Sequence, residues 1–185
     1  MRLKRDLSKE KIGETILAYL ETHNVNEVSF SAIANELEIK SQSLYNYFPN
    51  IDYLISYTGS LYYEKIRMFI TERVIGFSGV DAVRKFMDGF HEYNMSHPKQ
   101  SQLLFVVPNE KLSTDYLEAK EKLNNILLQI LEELVASLDK RIFYSKIIRS
   151  GLIGFLILEN QHEETFIDND FEQLMTMMIQ KLSEK

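Results

Sequence analysis

Apolar residues recur along this chain at three- and four-residue steps and scarcely anywhere in strict alternation. That spacing marks helices buried along one face, so the pattern predicts an all-α protein. Ile12, Ile16, Leu17 and Leu20 define a first helix over about 9–22, capped by Asp6 or Ser8. Two shorter helices follow over about 30–37 and 41–47, with Ser29 as N-cap of the earlier one. Pro49 and Asn50 break the chain, and a long helix over about 51–73 carries Leu54, Tyr57, Leu61, Ile66, Phe69 and Ile70. A turn at 76–79 precedes a helix over about 80–95, with Val83, Phe86, Met87 and Phe90 inward. A short helix over about 99–107 and a loop from Pro108 come next. Helices over about 115–137, 140–161 and 169–183 complete the order. Ser113 or Thr114 caps the first of these, Leu138 closes its stripe, and Asp139 opens the second.

The stretch 29–48 has the most specific pattern. Ile33, Leu37, Ile39 and Leu44 are placed to bury one face of each short helix and the turn between them, and Phe48 closes the set. This leaves Gln42, Ser43, Tyr45, Asn46 and Tyr47 at the start and on the outer face of the second helix. A helix-turn-helix divides its labour this way: one helix braces, and the next presents polar side chains to a DNA major groove.

The string IANELEIKSQSLYNYFPNIDYLI resembles the DNA-binding segment of the TetR family of bacterial transcriptional regulators. The matching positions are Ile33, Ala34, Ile39, Ser43, Leu44, Tyr45, Tyr47, Phe48, Pro49 and Leu54. Two positions depart from the family pattern: Glu38 stands at the usual turn glycine, and Ile51 replaces a frequent lysine. The resemblance implies an N-terminal three-helix helix-turn-helix domain over 1–50. A regulatory and dimerisation domain of roughly six helices would follow over 51–185. It also implies Ser41, Gln42, Ser43 and Asn46 in the groove, with Gln42 suited to bidentate reading of adenine. Ser29, Lys40, Tyr45 and Tyr47 would hold phosphates and set register.

The same resemblance gives the body its roles. Tyr62, Phe69, Phe86, Phe90, Tyr93, Phe105 and Tyr116 would enclose a small, mostly apolar effector. Taken singly, each of these residues reads as core. The helix containing IIRSGLIGFLIL is apolar nearly all round, more than a body of this size buries by itself. Gly151, Gly154, Phe155 and Leu158, with Phe171, Leu174, Met175 and Met178 of the last helix, are therefore expected to pair with a second copy. A homodimer would set two recognition helices about one DNA turn apart on a palindromic operator. The implied protein is cytoplasmic, a repressor released by its effector.

Composition changes this picture in one respect. The net charge is −6, and residues 1–50 carry six Lys/Arg against seven Asp/Glu, so the expected DNA-binding domain is not basic overall. Arg2, Lys4, Arg5, Lys9, Lys11 and Lys40 would have to meet phosphates while the acids face elsewhere. This balance, with Ile51, leaves a competing expectation: a helical interaction protein that keeps the head but no longer binds DNA. Disulfide and thiolate chemistry are excluded, since there is no cysteine. The charged start MRLKRDLSKEK has no apolar signal region, and the longest apolar run, 151–158, is too short to span a bilayer. No HExxH, GxSxG, GxGxxG or Walker A string occurs, so no enzyme, cofactor or metal is expected. His91 and His97 do not share a helical face, and His162, Glu163 and Glu164 with Asp168 and Asp170 read as a solvated acidic loop.

Overall fold

The computed structural model describes residues 7–106, 111–161 and 169–183. Asp6 as a cap, the arm at 2–5, Val107 with the loop at 108–109, and the acidic cluster at 162–168 lie outside the described residues. Within them all regular structure is helical. The order is α1 (Lys9–Tyr19), α2 (Phe30–Glu36), a 3-10 helix (Ser41–Asn46), α3 (Ile51–Val74), α4 (Gly79–Ser96), α5 (Pro98–Ser101), α6 (Thr114–Glu132), α7 (Leu138–Gln161) and α8 (Asp170–Ser183). Single 3-10 turns add Val25–Glu27 and Gln102–Leu104. No helix among the described residues is long and apolar enough to cross a membrane.

Caps fix the boundaries. The Ser8 hydroxyl accepts from Lys11 N at 3.1 Å, and Ser29 does the same for Ala32 N at 3.1 Å. Asn50 Oδ1 accepts from Tyr53 N at 2.8 Å to open α3, and Ser113 Oγ accepts from Tyr116 N at 3.2 Å at the start of α6. The expected end of α6 at Ser137 is one turn too late. Ser137 instead caps α7, its carbonyl accepting from Arg141 N at 2.9 Å, so Leu138 begins α7 and is exposed there. Both glycines of the 76–79 turn have positive φ, 83° and 57°, a conformation that other L-residues seldom adopt.

The described residues of Met1–Glu64 and His97–Lys120 form one compact unit, and those of Lys65–Ser96 and Glu121–Lys185 form another. In the first, Ile12, Ile16, Leu20, Ile33, Leu44, Phe48 and Leu54 are fully buried. Gly13 lets α1 approach α3: a Cβ there would stand 2.4 Å from Leu61 Cδ1. The start of the 97–120 segment grips the end of α1. Gln100 Nε2 donates to Leu17 O at 2.7 Å, Val25 N donates to Gln102 Oε1 at 3.2 Å, and the Lys99 ammonium donates to Thr22 O. Ser56 and Ser113 form a further buried pair, Oγ to Oγ at 3.1 Å.

The second unit packs Val83, Phe86, Met87 and Phe90 of α4 with Leu123, Leu127 and Leu131 of α6. Ile148, Leu152 and Leu156 of α7 and Met175, Ile179 and Leu182 of α8 join that core. Buried Ser145 donates to Asn124 Oδ1 at 2.7 Å, tying α7 to α6. Only one row of α7 is buried, Ser145, Ile148, Leu152 and Leu156, although its sequence is apolar nearly all round. Leu138, Ile142, Phe143 and Ile147 stay exposed.

Candidate nucleic-acid interface

The site begins with the brace. Ile33 and Leu44 are fully buried and Leu37 nearly so, locking α2 against the element that follows. The turn closes with Ile39 N donating to Ala34 O at 2.9 Å, and it passes through Glu38 at φ 52°. Glutamate in that left-handed region costs about 1–2 kcal/mol in local sterics. Glu38→Gly should therefore raise stability by about 1 kcal/mol after the extra chain entropy of glycine, or about 2–4 °C in Tm. A thermal melt checks this; an unchanged or lower Tm would mean that the Glu38 side chain compensates its backbone.

The second element is a 3-10 helix, tighter than the short α-helix expected. Ser43 N donates to Lys40 O and Tyr47 N to Leu44 O, each at 2.9 Å. Side chains three apart eclipse in such a helix, so it presents three rows. Ser41, Leu44 and Tyr47 form the inward row, buried or half-buried. Gln42 and Tyr45 form a wholly exposed row, and half-buried Ser43 precedes exposed Asn46 on the third. Lys40 and Ser29 are exposed at the two entrances. All eight expected DNA-facing residues thus occur on one local scaffold, but their availability differs. The Ser29 oxygen already serves as a cap, and Tyr47 Oη donates to Leu7 O at 2.8 Å.

No protein-family model matches the chain, and no curated relative does. Solved structures do. A TetR transcriptional regulator from Legionella pneumophila superposes with a TM-score of 0.65 at 21% identity, covering 97% of this chain and 99% of its own. The TetR-family repressor AlkX from Dietzia gives 0.65 at 20% identity, covering 98% of each chain. BioQ solved with its double-stranded DNA operator gives 0.71 at 14% identity, covering 97% of this chain and all of its own.

The fold is that of TetR-family regulators.

Within this TetR-family fold, the expected effector residues fall in different surroundings. Tyr62, Phe105 and Tyr116 belong to the first compact unit; Phe69, Phe86, Phe90 and Tyr93 belong to the second. Tyr62, Phe86, Phe90 and Tyr116 are buried, whereas Phe69, Tyr93 and Phe105 are half-buried. The Phe69 and Tyr93 rings meet at 5.1 Å. Tyr116 Oη donates to the Leu103 and Leu104 carbonyls at 3.2 and 3.1 Å, and its ring stands edge-on to Tyr63 at 5.1 Å.

The second unit has an open cleft of about 510 Å³ that shares none of those seven residues. Arg73, Phe77, Lys85, Asp88, His91, Glu92 and Phe171 line it. Arg73 pairs with Glu92 at 2.5 Å, and His91 Nε2 lies 2.8 Å from Glu159 Oε2. Burial pushes the Asp88 carboxyl up, and Glu172 adds to the effect. This open lining mixes charged side chains with two phenylalanine rings, unlike the apolar enclosure expected from the aromatic residues. No sequence signal marked it, because its residues come from α3, the turn after it, α4 and the distant α8.

The expected dimer residues lie on α7 and α8. Phe155 and Phe171 contact each other at 5.4 Å, and Phe171 stacks on His91 at 3.8 Å within the same chain. Met175 is buried in its own unit. A Cβ on Gly151 would meet Met178 Cε at 1.8 Å, so that glycine serves contact between α7 and α8. A Cβ added at Gly154 would meet nothing within 4 Å among the described residues. With Phe143 (59% exposed) and Ile147, this glycine continues an open stripe toward the start of α7 that the sequence did not distinguish from core.

Proposed function

We propose that this protein is a DNA-binding transcriptional regulator of the TetR type, a cytoplasmic homodimeric repressor released from a palindromic operator by a small-molecule effector. One observation carries the reading. A fully buried brace, Ile33 and Leu44, holds an exposed row of Gln42 and Tyr45, in a fold shared with regulators of which one is solved on operator DNA. In this reading 1–50 is the reader and 51–185 the responsive, dimerising body. Its work is binding, with no enzymatic role and no cofactor or metal.

The reader's charge supplies little affinity, so Lys40 and the basic residues at 2, 4 and 5 carry the phosphate contacts with neutral donors beside them. The open stripe of α7 is assigned to a second copy, which doubles the interface. The half-buried Phe69–Tyr93 pair and half-buried Phe105 are the accessible part of the proposed effector set, whose buried members admit a ligand only as their packing opens. Movement of 98–104 would pull directly on α1 through Gln100 and on the Val25–Glu27 turn through Gln102. A ligand shifts that arrangement only as far as it binds one state better than the other.

Selection of double-stranded DNA from a random pool tests the reading. The expected product is a palindrome whose binding weakens with salt, log K falling by about 0.9 per phosphate neutralised. Gln42→Ala should weaken binding to that sequence by about 1–3 kcal/mol and relax the preference at one adenine per half-site. Recovery of no sequence at low salt would sink the regulator and favour a helical interaction protein that kept the head.

A further inference from the structure

The two tyrosines of the recognition element are in opposite situations. Tyr47 spends its hydroxyl proton on Leu7 O at 2.8 Å, fastening the start of the described chain to the head. Tyr45 is 51% exposed, and its hydroxyl makes no hydrogen bond among the described residues. Its ring is nevertheless held: Phe30 meets it edge-on, centroids 4.4 Å apart at 81°. Phe30 is the first residue of α2, directly after the Ser29 cap, so its own backbone is fixed.

We propose that Phe30 is a positioning residue that holds the Tyr45 phenol ready to donate to a DNA phosphate, while Tyr47 serves as an anchor for the N-terminal segment. The proposal rests on the DNA-binding reading above and names one contact of that interface and its support. An exposed tyrosine without a brace samples its rotamers and loses that freedom on binding. The edge-to-face pair with Phe30 removes the freedom beforehand, leaving the hydroxyl donor of the exposed row already aimed, beside the Gln42 amide that reads bases. No other ring contact to Tyr45 occurs among the described residues, so α2 reaches the outer face of the 3-10 helix through Phe30.

A double-mutant cycle on the full chain tests this, with DNA selected by the unsubstituted protein as probe. Phe30→Ala and Tyr45→Phe should each weaken binding about threefold to tenfold, the range an aromatic pair or one hydrogen bond supplies. The phenol is neutral and releases no counterion, so the salt slope should stay unchanged in both variants. Base preference should also be retained, since phosphate contacts carry no sequence information. Phe30→Tyr should bind like the unsubstituted protein. In the Tyr45→Phe background, Phe30→Ala should have no further effect.

A full loss from Phe30→Ala in that background would overturn the proposal, as would a flattened salt slope, which signals a displaced head. An undiminished affinity of Phe30→Ala overturns it as well. If the unsubstituted protein selects no DNA, the regulator reading fails and this one with it. Tight DNA binding with any of the other adverse results removes only the role of Phe30.

Discussion

Tyr116→Ala is expected to lower stability by about 3–5 kcal/mol, the cost of deleting a fully packed aromatic side chain. The ring lies against Gly59, where a Cβ would come within 2.7 Å of Tyr116 Cε2, and the hydroxyl serves two backbone carbonyls. Gly59→Ala should cost about 1–3 kcal/mol by overpacking the same contact. That penalty should largely vanish in a Tyr116→Leu background, because the two changes share one space. Urea denaturation reads all of these effects. A loss below about 1 kcal/mol for Tyr116→Ala would show that the ring borders open space, as a member of an effector pocket would, rather than core.

The same residue gives a pH signature. Burial pushes the Tyr116 phenol far above its ordinary value of about 10, with Tyr63 adding to the shift. The unfolded chain therefore ionises first as pH rises. The contribution of the neutral phenol is fully present below about pH 10 and is lost as pH climbs from there toward the folded value. Tyr116→Phe should flatten that alkaline loss, measured as unfolding free energy against pH.

Gly154→Arg should weaken self-association by at least about a hundredfold while leaving the protomer as stable as before or slightly more so. The protomer has open space at this position, and arginine is a better helix former than glycine by about 1 kcal/mol. In a dimer built on the proposed α7 stripe, the same side chain would overfill the contact and bury a charge, each costing about 1.4 kcal/mol or more, at least about tenfold in affinity apiece. Sedimentation equilibrium reports the association and thermal unfolding reports the protomer. A dimer of unchanged affinity would move the interface away from Gly154. A destabilised protomer would mean that the site is packed within the chain.

These effects show where the sequence was legible and where it was not. The pattern of apolar steps located the helices, because burying one face imposes a period that any reader can see. Caps were nearly as clear: Ser29 was expected, and Ser8 and Ser113 were each one of two candidates, since an unpaired N–H needs an oxygen within three residues, whereas Asn50 read only as a breaker. The end of α6 was missed because Ser137 can finish one helix or begin the next, and propensity does not choose between them. The 3-10 form of 41–46 was missed for a related reason, since a six-residue helix is too short for its period to declare itself.

By itself the sequence determined the all-helical class, the helix order, the brace of Ile33, Leu37 and Leu44, and the polar identity of the recognition face. Local spacing and local hydrogen bonding control each of those, so they survive without coordinates. Tertiary structure alone decided which apolar residues are core and which remain uncovered. It separated buried Tyr116 from the half-buried Phe69–Tyr93 pair and the closed Gly151 from the open Gly154. It also divided Tyr45, braced with its hydroxyl unused, from Tyr47, whose hydroxyl is already committed. The physical reason is that hydrophobicity records what a side chain can bury, whereas burial depends on distant helices arriving at that side chain.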